Sequence, residues 1–143
     1  MRIEVLIPGE PIGQGRPRFA RRGKFVTAYD PPKSRNWKAE ARDCMMRAIE
    51  HPARLPFPQG VAVCATVISV FTRPAGTYSK RVPKGRELKT TRPDVENVVK
   101  AVLDAATGTL WHDDSQVTAL VASKEIGAQD EAPFVRLIVS DEG

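Results

Sequence analysis

The sequence predicts an α+β fold: a small mixed β-sheet with two helices packed on it, in a single domain spanning residues 1–143. Three observations carry this. The 143-residue chain, 41% hydrophobic and 27% charged, has the length and composition of one soluble domain with a modest core. Two segments repeat apolar residues at helical spacing. Four others are short, apolar and rich in β-branched residues, as strands are.

Taken in order, Arg2–Ile7 alternates as a strand and Pro8-Gly9 ends it. Residues 9–33 read as a loop rich in Gly, Pro and Arg, with a short hairpin around Gly23. A helix is expected from Ser34, as N-cap, to Glu50, burying Trp37, Ala41, Cys44, Met45 and Ala48 and ending at His51-Pro52. Val61–Phe71 reads as a strand covered on both faces. Residues 73–92 read as a mobile basic loop. The strongest periodicity is Val95, Val98, Val99, Val102, Leu103 and Ala106, a helix capped by Asp94 and stopped by Gly108. Gln116–Ile126 and Phe134–Val139 complete the sheet.

No apolar run approaches the ~18 residues of a membrane span. The apolar N-terminal stretch is short for a signal peptide and contains Glu4, so a cytoplasmic protein without a membrane partner is expected. Cys44 and Cys64 lack metal-ligand spacing and read as reduced core residues.

Charge is divided along the chain. Residues 1–93 hold 19 Lys and Arg against 7 Asp and Glu, whereas residues 94–143 hold 3 against 10. The first part suits a polyanion and the second a cation such as a metal. Five cations, Arg16, Arg18, Arg21, Arg22 and Lys24, surround Phe19. Seven more lie within residues 73–92, including Lys80, Arg81, Lys84, Arg86, Lys89 and Arg92. Such loops neutralise phosphates and release counterions, and Phe19 or Tyr78 offers a stacking face to bases. A solvated basic surface is the plainer alternative.

The acids form the second half of the pattern. Asp94 and Glu96 open the second helix, and Asp113-Asp114 precede the following strand, which is expected to start near the same end of the sheet. Gathered carboxylates repel one another unless a cation neutralises them, and Mg²⁺ and Mn²⁺ prefer oxygen ligands. The helix dipole opposes a cation with roughly half a charge, which three carboxylates outweigh. Lys100, one turn beyond Glu96, is placed to neutralise a scissile phosphate. Each residue also has an ordinary structural use. Asp94 suits an N-cap, Glu96–Lys100–Asp104 suits a stripe of solvated ion pairs, and Asp113-Asp114 suits a turn.

The segment "RPDVENVVKAVLDAATGTLWHDDSQV", Arg92 to Val117, resembles the signature of the RusA family of Holliday junction resolvases, which are often encoded by phages and prophages. The family pattern is close to K/R-P-D-x-D-N-hydrophobic-x-K, then a helix ending "DAL", then "DDxQV". Both blocks occur here at suitable spacing over about a fifth of the chain, and "GRPRF" resembles a further segment seen in many members. The resemblance implies a RusA-like Mg²⁺-dependent endodeoxyribonuclease, with Mn²⁺ as substitute, acting as a homodimer on four-way DNA junctions. It implies that Asp94, Glu96 and Asp114 bind the metal and act in catalysis with Lys100. Asp113 is the motif neighbour of Asp114. Glu96 departs from the pattern, where the family has Asp: it keeps the charge and adds one methylene. Two further readings stand beside the resolvase: a non-catalytic junction-binding module with a degraded metal site, and a metal-dependent hydrolase of small phosphate esters. The basic loops argue against the last, because a small ester needs few cations.

Overall fold

Along β1 (Arg2–Pro8), Val5 and Ile7 are buried while Arg2, Glu4 and Leu6 are exposed, the two-residue period of a half-buried strand. The computed structural model describes residues 1–16, 18–51 and 54–141. A five-stranded sheet forms in the order β1-β7-β4-β6-β5, with β4 (Val63–Phe71), β5 (Glu87–Leu88), β6 (Val117–Ile126) and β7 (Phe134–Ser140). β4 and β6 pair parallel, and the other pairs are antiparallel. Helices α1 (Pro32–Ala48) and α2 (Val95–Ala106) pack on one another and on one face of the sheet. The core lies between the layers: Trp37, Ala41 and Met45 from α1, Val99, Val102 and Ala106 from α2, and Val63, Val67, Leu137 and Val139 from the sheet. This is the expected α+β architecture, with β5 and a separate hairpin in addition.

Several local expectations are corrected. The N-cap of α1 is Pro31, not Ser34. Ser34 is buried in the first turn, and its hydroxyl accepts the Gly15 N–H at 3.2 Å. Proline is well suited to a helix start, where its missing N–H costs nothing. Ala48 is exposed, while Ile49 just beyond the helix packs against the core, and Pro52 lies outside the described residues. Val95 is exposed at the open end of α2. The helices cover one face of β4 only, so Cys64, Thr66 and Ile68 on the other face are half-buried. Both cysteines are free and half-buried rather than deep in the core.

The hairpin stands apart as an arm. β2 (Arg18–Arg22) pairs with β3 (Phe25–Tyr29), and Gly23, at φ 59°, supplies the left-handed conformation of its two-residue turn. Phe19 is 70% and Phe25 77% exposed. Two strands alone are marginally stable in water, so the arm depends on its foot. There Asp30 accepts bonds from Lys38 Nζ at 2.7 Å and from Gln14 Nε2 at 3.3 Å. Lys38, buried in α1, also donates to Asp104 of α2 at 3.2 Å, tying arm, α1 and α2 together. The Lys38 hydrogen bond holds the Asp30 carboxyl below the usual carboxylate range.

Residues 73–92 fold around a buried arginine rather than forming a mobile loop. Arg73 donates to Gly127 O at 2.9 Å, Gly85 O at 2.8 Å and Glu87 Oε1 at 3.0 Å. Gln129 Oε1 accepts the N–H groups of Ser79 and Lys84. Arg86 grips Glu131 through both carboxylate oxygens. That fork, with the Ala128 N–H, lowers the Glu131 carboxyl from 4.5 to about 2. Because the folded value lies below the unfolded one, the contribution is complete above pH about 4.5 and is lost as pH falls through about 2. Thermal melts from pH 5 to pH 2 should show a falling midpoint, and Glu131→Gln should flatten part of that fall.

Candidate active site

Two of the predicted acids share one end of α2. Asp94 is the N-cap residue by position, yet its side chain makes no capping bond; its carbonyl accepts the Asn97 and Val98 N–H groups. Glu96 lies in the first turn. Lys100 has no ion pair among the described residues, because Asp104, its partner in a solvated stripe, is engaged by Lys38. The side chains of Asp94, Glu96 and Lys100 are thus exposed and uncommitted.

Asp94 lies in a cleft of about 550 Å³ with Gly13, Gln14, Arg16, Arg92, Pro93 and Asn97. The Gln14 N–H donates to Asn97 O at 2.8 Å, fastening the loop after β1 to α2. That approach requires glycine at 13, where a Cβ would lie 2.8 Å from Pro93 Cβ. The turn before Asp94, which contains a cis Arg92–Pro93 peptide, is held by Lys124: its Nζ donates to Thr91 O at 2.8 Å and Pro93 O at 2.7 Å. Lys124 and Gln14 are the positioning residues that sequence reasoning missed. A lone lysine in a strand and a glutamine in a loop carry no local signal.

Asp114 is elsewhere. It opens a short 3₁₀ turn before β6, and its Oδ1 accepts the Thr107 hydroxyl at the C-terminal end of α2; Trp111 Nε1 donates to the same hydroxyl at 3.1 Å. Asp113 caps the turn through the Ser115 N–H, which holds its carboxyl below the usual range, while Gln116 Oε1 returns to the Asp113 N–H. The expectation that the "HDD" group lies at the same end of the sheet as Asp94 is therefore overturned. A helix joined by a short turn to the next strand runs back along it, so its start lies over that strand's end. Lys124, near the end of β6, accordingly holds the start of α2. From Glu96 to Thr107 the helix rises roughly 16 Å, and no cluster of three or more Asp, Glu, His or Cys able to hold a metal occurs among the described residues.

The cations divide by availability. Arg16 and Arg92 are exposed on the cleft, Arg18, Arg21, Arg22 and Lys24 on the arm, and Lys80, Arg81 and Lys84 on the segment after β4. Arg86 is matched by Glu131 and Glu125. Lys89 is half-buried over the Phe71 ring and donates to Thr91. Free arginines and lysines thus flank the exposed carboxylates of Asp94 in the cleft and of Glu96 in the first turn of α2.

The chain belongs to the RusA endodeoxyribonuclease family. The family pattern described as "Endodeoxyribonuclease RusA" matches residues 8–137. The chain is also similar to "Uncharacterized protein YqaN" of Bacillus subtilis (strain 168), 32% identical over 142 residues, which cover 97% of this chain and 96% of that protein. The family is one of divalent-metal-dependent endodeoxyribonucleases that bind junction DNA. No helix among the described residues is long and apolar enough to cross a membrane.

Proposed function

We propose that this chain is a Mg²⁺-dependent, structure-selective endodeoxyribonuclease that resolves four-way (Holliday) junctions by paired symmetric cuts, acting as a cytoplasmic homodimer in recombination and repair. The observation that carries the reading is the uncommitted state of Asp94, Glu96 and Lys100 beside a cleft lined by Arg16 and Arg92. Residues serving only as cap and helix-surface pairs would bond to one another.

Two carboxylates suit Mg²⁺, which takes one or two from a protein and completes its shell with water and substrate phosphate oxygens; Mn²⁺ accepts the same donors. The chemistry the ion supplies is activation of the attacking water and stabilisation of the leaving oxygen. Asp94 and Glu96 hold it, and the Lys100 ammonium offsets charge on the scissile phosphate. Arg16 and Arg92 position the neighbouring phosphates, and the arm cations Arg18, Arg21, Arg22 and Lys24, with Lys80, Arg81 and Lys84, hold the flanking backbone. Asp114, at the far end of α2, serves the Asp94–Glu96 pair of a second copy. A two-fold dimer then presents two equivalent sites to a junction that is itself nearly two-fold.

Wild-type protein should cut a synthetic four-way junction with Mg²⁺ or Mn²⁺ and leave linear duplex intact. No cutting with either ion, over junctions of varied arm sequence, contradicts the proposal. Glu96, where the family pattern has Asp, favours one second reading: a binding module that grips junctions without cutting. That module would bind junctions tightly and salt-sensitively, and its cleavage would be absent until restored by Glu96→Asp.

A further inference from the structure

The arm exposes apolar side chains that the fold does not use. Its sequence, "RFARRGKFVTAY" from Arg18 to Tyr29, contains four cations and no acid. Among its strand residues only Ala20 is half-buried, and all the others are exposed. Phe25, at 77%, is the most exposed of the described large hydrophobic residues. Cross-strand partners share a face of the ribbon. One face therefore carries Phe25 beside Arg22 and, toward the foot, Tyr29 beside Arg18. The other carries Val26 beside Arg21 and then Phe19 beside Ala28. An arm that packed flat on a partner would be apolar on one face only. Here each face joins an aromatic ring to an arginine, so the occupant encloses the arm.

We infer that the arm enters DNA where bases are unstacked, with Phe25 and Phe19 stacking on bases from its two faces and Arg22 and Arg21 holding the adjoining phosphates. The cations select a polyanion. Intact duplex keeps its bases stacked on one another and shows an aromatic ring no base face. An unstacked base shows one, whatever its sequence. The rings therefore ask for bases that have lost a neighbour, as at an opened branch point. The arm begins two residues after Arg16, which lines the Asp94 cleft, so DNA gripped by the arm is DNA presented to that cleft. The choice of a branch point rests on the proposed junction reading, whereas stacking on unpaired bases stands without it.

The test compares wild type with Phe19→Ala/Phe25→Ala by equilibrium binding in Ca²⁺ to a four-way junction, a linear duplex and single-stranded oligothymidylate. Loss of both rings should weaken junction and single-strand binding by about 10-fold or more and leave duplex binding within about twofold. The salt dependence should not change, because no phosphate contact is lost. An aminopurine base at the branch point should brighten when wild type binds and stay dark with the variant. Phe25→Trp, which keeps a ring, should bind like wild type, and oligothymidylate should quench its emission; Trp37 and Trp111 are buried and leave that signal clear. A Phe25→Trp variant that is not quenched overturns the inference, as does a double variant that binds all three DNAs like wild type. Equal losses on junction and duplex overturn it by laying the arm along intact DNA. A double variant with an altered association state in sedimentation overturns it by giving the rings to a contact between copies. A wild type that brightens the branch point but cuts no junction defeats the resolvase reading alone. A cutting enzyme whose double variant brightens the branch point like wild type defeats the arm inference alone.

Discussion

Asp94→Asn should lower junction cleavage by about 10³-fold or more while leaving fold and junction binding in place. The isosteric change removes one anionic ligand from a site asked to supply several kcal/mol of charge stabilisation, and about 4 kcal/mol corresponds to 10³ in rate. Its structural cost is small. Asn is as good an N-cap as Asp, and the Asp94 side chain makes no capping bond. Binding measured with Ca²⁺, alongside single-turnover cleavage with Mg²⁺, separates the effects. Unchanged cleavage would remove Asp94 from the catalytic set.

Arg73→Met should destabilise the fold markedly, although the side chain lies outside the hydrophobic core. The Arg73 guanidinium is buried (4% exposed) and donates to two backbone carbonyls, Gly127 O and Gly85 O, as well as to Glu87. Replacing it with an apolar side chain leaves those carbonyls unpaired, at about 2–4 kcal/mol, or roughly 6–12 °C in melting temperature for a domain of this size. Arg73→Lys should not restore it, because one ammonium cannot reproduce a fork that reaches four acceptors, Gly127 O, Thr77 Oγ1, Gly85 O and Glu87 Oε1. Junction affinity should fall with it, since the segment bearing Lys80, Arg81 and Lys84 is folded around this side chain. Melts and salt-dependent binding read the two effects independently.

What was legible in the sequence was mostly local. The spacing Val98, Val99, Val102, Ala106 marked α2 because one buried face imposes its period on the chain. Gly23 marked the arm's turn because a left-handed backbone selects glycine. Hubs made by distant residues left no such trace. Nothing near Arg73 in sequence announces its bonds to Gly85 and Gly127, so residues 73–92 read as a loose basic stretch. Ser34 looked like a cap because that is its commonest use beside a helix start, whereas here a loop nineteen residues earlier claims its hydroxyl. The acids show the sharpest difference. Their residue types and spacing were readable, but placing them at one end of the sheet ignored the direction of α2. A helix that returns along β6 carries Asp94 and Asp114 to opposite ends.

That separation makes a shared site between two copies the central claim, and mixed dimers test it most directly. One subunit carries Asp94→Asn and the other Asp114→Asn; the two are co-expressed with different tags and purified as the heterodimer. If each site draws Asp94 from one copy and Asp114 from the other, one of the two sites carries both changes and the other is intact. The heterodimer should then nick one strand of a junction with Mg²⁺, although each homodimeric variant is inactive. If each site is built within a single chain, both sites of the heterodimer are damaged. A heterodimer as inactive as its parents would contradict the account.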